Sequence, residues 1–263
     1  MARFYIPIKK GKKQLPDFAG IKTIGSGSLY MLYQTSSNFD SVYFPDLTTI
    51  QSTGMGWCFY NSPSITSASF PKLVDIRAAG MYYCFYGCSS LTSISFPELI
   101  SIDYTNAMNL CFYGCSSLTS ISFPKLATIG GSAMASCFYS CSSLTSISFP
   151  KLATIGASGI EKCFYGCTRL VSVSFPELTA LGTYGLEYTF QICTSLTSIS
   201  FPALTSTSFG NLTTQFYRML QGVTGCTVHF PSNLQSVIGS WSDVTQGFGG
   251  TNTTVLFDLP ATT

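Results

Sequence analysis

The sequence predicts an α/β solenoid of about eight coils, with a parallel β-sheet on the concave side and a short helix per coil on the convex side. Three observations carry this. Equivalent positions fall at Leu32, Cys58, Cys84, Cys111, Cys137, Cys163, Thr189 and Gln215, in steps of 26 residues with one step of 27 between Cys84 and Cys111. Phe-Pro pairs keep the same beat at Phe44, Phe70, Phe96, Phe123, Phe149, Phe175 and Phe201, before a longer step of 29 to Phe230. Within each unit, a period-two pattern gives way to a helical one.

The unit from Leu91 to Gly114 shows the elements in order. Ile94 and Phe96 alternate with Thr92, Ser93 and Ser95, as a short strand with one buried face does. Pro97 has no N–H for the ladder and ends it, after which Leu99 and Ile102 turn inward. Met108, Cys111, Phe112 and Cys115 then follow the spacing i, i+3, i+4, i+7, the apolar stripe of a two-turn helix, repeated as Ile160, Cys163, Phe164 and Cys167. Gly87, Gly114 and Gly166 stand where a left-handed residue can close that helix, with Ser140 in one coil. The pattern leaves open whether the helix reaches the following Cys or stops one residue earlier. Strands pair at about 4.8 Å and helices need about 10 Å, so such a stack bends into a horseshoe with the sheet inside.

The ends depart from the period. Residues 1–17 form an N-terminal cap, with Phe4, Ile6 and Ile8 as a strand, and residues 18–220 form the repeats. Residues 221–263 form a C-terminal cap: Ser232, Leu234, Val237, Ile238 and Trp241 as an N-capped amphipathic helix, then Val255–Leu259 as a closing strand. The whole is one continuous domain.

The spacing L-x-x-I-x-F-P-x-L-x-x-I followed by C-F-Y-G-C-S-S-L resembles the BspA-like class of bacterial leucine-rich repeats, from roughly Phe18 to Leu220. Two features depart from the family pattern. Leu99, Leu126, Leu152 and Leu178 occupy the position where many such repeats carry an Asn ladder, so the backbone groups of that turn need other partners. The convex segment is also a few residues longer. The resemblance implies a non-enzymatic surface adhesin or interaction protein. Similar repeats also occur in phage-like genes, and there is no catalytic residue to transfer.

Composition excludes several classes. Charged residues make up 9% and the formal net charge is +2, far from the basic stripe that nucleic acid requires. Ser, Thr and Gly interrupt every apolar run before it could insert in a membrane. Basic residues cluster between Met1 and Gln14, but Phe4–Ile8 is too short for a signal-peptide core, and the expected chain has neither a leader nor an anchor. The expected site is therefore an extracellular surface or a phage particle reached without a visible signal.

Eleven cysteines raise the question of metal or disulfides. Their C-x-x-x-C pairs, such as Cys84 with Cys88 and Cys137 with Cys141, recur once per coil on the buried stripe and read as small core hydrophobes. With helices between them, equivalent thiols would lie too far apart for a disulfide. No metal and no cofactor is expected, and so many free thiols point to a reducing or anaerobic setting. His229 has no nucleophile motif beside it and reads as a solvent-facing strand residue. Asp46, Glu98 and Glu177 share one repeat position with Lys72, Lys125 and Lys151, a surface charge ladder and not an acid/base dyad. The chain is not expected to be an enzyme.

Two surfaces remain for function. The sheet face repeats Thr92-Ser93-x-Ser95 almost unchanged, which suits solubility and strand propensity better than recognition. An ordered-water array of the ice-binding kind is disfavoured there by curvature and by Ser. The segment before each convex core instead varies: Met55-Gly-Trp57, Met81-Tyr-Tyr83, Asn109-Leu110, Ala135-Ser136, Glu161-Lys162, Glu187-Tyr188. Trp57, Tyr82, Tyr83, Tyr104 and Tyr188 are the candidate ligand-binding residues, since aromatic anchors on a constant frame mark recognition surfaces. Beside them runs a tyrosine ladder, Tyr60, Tyr86, Tyr113, Tyr139, Tyr165 and Tyr217, whose rings could meet sugar faces or pack on the next coil. The expected function is non-catalytic binding or adhesion to a protein or glycan on a cell surface, as a bacterial surface or phage host-recognition factor. A scaffold subunit with no ligand of its own is the alternative.

Overall fold

The computed structural model describes residues 18–205, 212–238 and 248–260, and in it each coil holds two short strands. In chain order these are β1 (Thr23–Ile24), β2 (Ser41–Tyr43), β3 (Thr49–Ile50), β4 (Ser67–Ser69), β5 (Asp75–Ile76), β6 (Ser93–Ser95), β7 (Ser101–Ile102), β8 (Ser120–Ser122), β9 (Thr128–Ile129), β10 (Ser146–Ser148), β11 (Thr154–Ile155), β12 (Ser172–Ser174), β13 (Ala180–Leu181), β14 (Ser198–Ser200), β15 (Thr227–Pro231) and β16 (Thr254–Leu259). Each pairs in parallel with its equivalent one coil away, for example Ile94 opposite Ala68 and Ile155 opposite Ile129. The central residue of each Ser strand points into the coil and the two flanking residues point out. The last turn is closed by β15 and β16, where His229 Nδ1 lies 3.0 Å from both carboxylate oxygens of Asp258.

Two rows of phenylalanine fill the interior. Phe44, Phe70, Phe96, Phe123, Phe149, Phe175, Phe201 and Phe230 stack face to face at 5.4–5.9 Å, and Phe59, Phe85, Phe112, Phe138, Phe164 and Phe190 at 5.2–5.6 Å. All of these rings are buried, and each contributes about 2–3 kcal/mol by leaving water. The turn where an Asn ladder was missing is satisfied locally: the Leu126, Leu152 and Leu178 amides donate to the Phe carbonyl three residues earlier.

Apart from one helical turn in the last coil, α1 (Leu212–Gln215), the convex segment is not helical, which corrects the α/β expectation. It is a chain of linked tight turns. In the second coil, the amides of Gly54, Gly56, Cys58, Tyr60 and Ser62 each donate to a carbonyl three residues back. Those of Thr53, Met55, Trp57, Phe59 and Asn61 donate to the next coil, at Ala78, Gly80, Tyr82, Cys84 and Tyr86. Every fourth residue must be left-handed, as at Thr53, Trp57 and Asn61 (φ 54°, 57° and 50°) and at Ala79, Tyr83 and Gly87 (φ 51°, 54° and 69°). A helix and this ribbon bury the same stripe, so Met108, Cys111, Phe112 and Cys115 are inside in either case. What decides is spacing. The sheets fix about 4.8 Å per coil, and a helix cannot fit within it.

The bend into a horseshoe loses its cause with the helices. Tyr60, Tyr86, Tyr113, Tyr139 and Tyr165, on the outside of the ribbon, stack at 4.3–4.9 Å, no wider than the core rows. The coil has no wide side. Of the expected helix from Ser232, the described residues show a 3-10 turn (Ser232–Leu234) leading into helix at Gln235–Ile238, and the capping residue is Pro231, with no side-chain bond, in place of Ser232. Trp241 and the expected strand at Phe4–Ile8 lie outside the described residues. The charge ladder resolves into separate pairs, Lys72–Asp46 at 2.7 Å, Lys125–Glu98 at 2.6 Å and Lys151–Glu177 at 2.5 Å.

The Ser sheet is interrupted twice, between β6 and β8 and between β10 and β12. At each joined pair of Ser strands a threonine hydroxyl bonds the equivalent carbonyl of the preceding coil: Thr66 to Asp40, Thr92 to Thr66, Thr145 to Thr119 and Thr197 to Val171, at 2.9–3.2 Å. Neither interruption has this bond among the described residues. At β10/β12 the donor is missing, because Val171 stands where the neighbouring coils have Thr145 and Thr197. At β6/β8 the two coils differ by the one extra residue, which falls between Ile102 and Ala107. The Phe row is widest at these places, 5.7 Å for Phe96–Phe123 and 5.9 Å for Phe149–Phe175. Coils meet closely just after the second strand: a side chain at Gly130, Gly156 or Gly182 would collide with the backbone of the preceding coil.

Val171→Thr should therefore join β10 to β12. Urea unfolding is expected to show a gain of about 1 kcal/mol, the usual net value of one hydrogen bond, and no gain would separate the threonine bond from sheet continuity.

Candidate binding surface

The left-handed positions of the ribbon throw their side chains outward, and the middle column of them reads Met31, Trp57, Tyr83, Leu110, Ser136, Lys162 and Tyr188. Three of the five candidate residues thus sit on strained backbone that a non-glycine residue adopts at a cost of about 1 kcal/mol or more.

Trp57, Tyr82 and Tyr83 come together. The Trp57 and Tyr83 rings are parallel, 4.1 Å apart with 5° between planes, and Tyr82 meets both edge-on, at 6.2 and 4.4 Å. Tyr60 packs on Trp57 at 4.7 Å and leads into the stacked column of Tyr86, Tyr113, Tyr139 and Tyr165. Tyr30 belongs to the same patch: its ring lies over Gly56, where a side chain would touch it, and with Met31 and Leu32 it is more than 40% exposed. The sequence signal for Tyr30 is the small residue one coil later, where Tyr82 and Asn109 follow in the coils beyond.

Tyr104 and Tyr188 stand apart from this patch. Tyr104 lies in the one-residue insertion, exposed, with the Arg77 guanidinium 5.1 Å above its ring and Arg77 paired to Asp75 at 2.6 Å. Tyr188 is near the other end, edge-on to Tyr217 at 5.7 Å and 5.3 Å from the Lys162 ammonium.

In the stacked column the ring faces cover one another, so what reaches solvent is ring edges and hydroxyls. Burial, then the hydrogen bond with Tyr82, pushes the Tyr83 phenol up to about 12; burial and the bond with Tyr165 do the same for Tyr139. These hydroxyls stay protonated at neutral pH. The opposite face carries a shallow groove of about 370 Å³ lined by Ser93, Ser95, Ser120, Ser122, Ser146 and Ser148, with Ile94, Ile121 and Ile147 as its floor.

The thiols are buried and free, and no group of metal-ligating residues suited to an ion occurs among the described residues. They are also hydrogen-bond donors. Cys88, Cys115, Cys141, Cys167 and Cys193 donate to Phe59, Phe85, Phe112, Phe138 and Phe164 of the preceding coil at 3.0–3.2 Å. The expected helix-width gap between equivalent thiols is corrected with the helices, since neighbouring coils are one strand spacing apart.

A model of the BspA type leucine rich repeat region matches residues 15–137 and 105–240, in six copies. The chain belongs to the BspA-type leucine-rich-repeat family. Leucine-rich-repeat proteins are in general binding and adhesion scaffolds. No curated protein matches this BspA-type chain. Among solved structures it is similar to an internalin from Listeria monocytogenes (11% identity, TM-score 0.37, covering 84% of this chain and 63% of that one). It is also similar to a leucine-rich cell surface protein from Faecalibacterium prausnitzii (15%, 0.33, 86% and 62%). A third likeness is a leucine-rich repeat protein from Bacteroides ovatus (17%, 0.22, 89% and 87%). The BspA-type chain spans less than two thirds of the first two.

Burial pushes every thiol up, to about 12 at Cys88, Cys163, Cys193 and Cys226. The folded state therefore keeps thiols neutral at a pH where the unfolded chain, titrating near 8.5, ionises. This stability is complete below about pH 8 and is lost as pH rises towards 12. A thiol reagent should find cysteines only after denaturation, and the melting temperature should fall steeply above pH 9 yet be indifferent to chelators. Unfolding by a chelator would contradict the reading of these residues as core.

Proposed function

We propose that the chain is a non-catalytic binding protein that recognises a protein partner through the aromatic patch of Tyr30, Trp57, Tyr60, Tyr82 and Tyr83. The observation that carries this is the convergence of Trp57, Tyr82 and Tyr83 on one half-exposed surface, with Tyr and Trp held rigid by stacking. Rigid aromatic anchors give contact area with little entropy lost on binding. A protein suits the patch better than a glycan, because a sugar ring needs a free aromatic face. Most faces here are filled by the neighbouring ring, and the positive ring edges and phenol donors point out towards carbonyls and carboxylates.

Tyr104 and Tyr188 are proposed as outlying contacts. The serine groove opposite offers uniform hydroxyls, and Thr92 and Thr145 beside it already donate to the preceding coil. Display on a bacterial surface or a phage particle is the setting in which such a binder would act as an adhesin, in line with what leucine-rich-repeat proteins generally do.

Screening against purified surface proteins and a glycan array should yield a protein ligand. Tyr82→Ala and Tyr30→Ala should each weaken that binding by about 1 kcal/mol or more, with little change in melting temperature because neither ring is part of the stacked column. Trp57→Ala should weaken it further and also cost stability through the lost stack. Replacing Ser93, Ser95, Ser120 and Ser122 should do little; loss of binding in that variant, with the aromatic variants unaffected, would move the site to the opposite face.

A further inference from the structure

The second thiol of each coil sits beside its counterpart in the preceding coil. The Phe138 carbonyl accepts the Cys141 amide at 3.1 Å and the Cys167 thiol at 3.2 Å. The same double contact recurs at Phe112 with Cys115 and Cys141, at Phe85 with Cys88 and Cys115, and at Phe164 with Cys167 and Cys193. One carbonyl therefore tethers each sulfur to the backbone of the preceding cysteine. The coil spacing of about 4.8 Å falls inside the roughly 4.4–6.8 Å between α-carbons that a disulfide spans. Five cysteines in register, Cys88, Cys115, Cys141, Cys167 and Cys193, make an uninterrupted column.

We propose that this column is a latent disulfide ladder: a thiol–disulfide oxidant cross-links neighbouring coils, Cys141 to Cys167 or Cys141 to Cys115, and so locks the solenoid. In the step, the two S–H bonds give up their protons and one S–S bond forms between the coils. The two electrons released reduce the oxidant, whose own S–S bond breaks to two thiols. Because the sulfurs are buried and neutral, the reaction waits for local opening. A solenoid opens by coils, each held only by its neighbours. A bond across 26 residues then acts as a staple between the coils that would separate, and survives reclosure without moving the backbone far. The chain would fold reduced and become locked on passing into an oxidising compartment.

The test uses the full chain and oxidised glutathione as the oxidant, in urea just below the unfolding transition, followed by removal of urea and peptide mapping without reduction. The expected product is a monomer whose cross-links join cysteines 26 or 27 residues apart in this column, and which melts higher than the reduced protein until dithiothreitol returns it. Cys141→Ser should remove both cross-links to that position and leave Cys88–Cys115 and Cys167–Cys193, while the reduced variant folds, since Ser62 already fills this role in the second coil with its hydroxyl on the Tyr33 carbonyl at 3.0 Å. Cross-links confined to Cys84–Cys88-type pairs within a coil, glutathione adducts alone, or only intermolecular bonds would overturn the proposal.

Discussion

The pairing distance between strands, about 4.8 Å, is the constraint on which the rest of this molecule depends. Two sheets impose it on two sides of the coil, and the third side must advance at the same pace or tear from them. A helix cannot. The ribbon of linked turns does so by giving every second amide to its own coil and every other one to the next. Face-to-face Phe and Tyr columns follow, because a flat ring is among the few large side chains that repeat comfortably at that spacing.

The energetics show which part holds and which part is held. In the second coil, three left-handed residues, Thr53, Trp57 and Asn61, cost about 1–2 kcal/mol each. Five bonds to the next coil return about 0.5–1.5 kcal/mol each, so the ribbon comes close to balance by itself. Burial of Met55, Cys58 and Phe59 under it decides in its favour, a fully buried Phe alone contributing about 2–3 kcal/mol. The exposed ion pairs are secondary. The Ser sheet breaks where Val171 or the extra residue near Tyr104 removes a threonine bond, and the Phe row is widest there.

Much of this was legible in the sequence. The 26-residue beat, the short Ser strands, the inward Leu and the left-handed Gly114 all follow from spacing and residue type. The convex element was not, because i, i+3, i+4, i+7 describes a helix and a four-residue turn repeat equally well. A partial signal was present: Thr53 and Asn61, Ala79 and Gly87, Asn106 and Gly114, Ser132 and Ser140 stand eight apart within their coils, all poorer helix formers than Leu except Ala79, while the left-handed position between them holds Trp57, Tyr83 or Leu110 and hides the four-residue period. Trp57, Tyr82 and Tyr83 could be named as candidates from the variability of their segment. That they stack on one another, and that Tyr30 joins them while Tyr104 and Tyr188 do not, depends on which coils are neighbours and on side-chain direction, which spacing alone leaves undetermined.

A binding patch on this scaffold inherits its rigidity, since each ring rests on backbone tied to the coil beyond. That rigidity requires every second convex amide to bond the next coil, and none to bond four residues back along its own. Scalar coupling across hydrogen bonds, measured by NMR on the isotopically labelled protein, reads the partner of a single amide. The Phe112 amide should couple to the carbonyl carbon of Cys137, its partner at 2.9 Å, whereas coupling to Met108, four residues back as in an α-helix, would contradict the account.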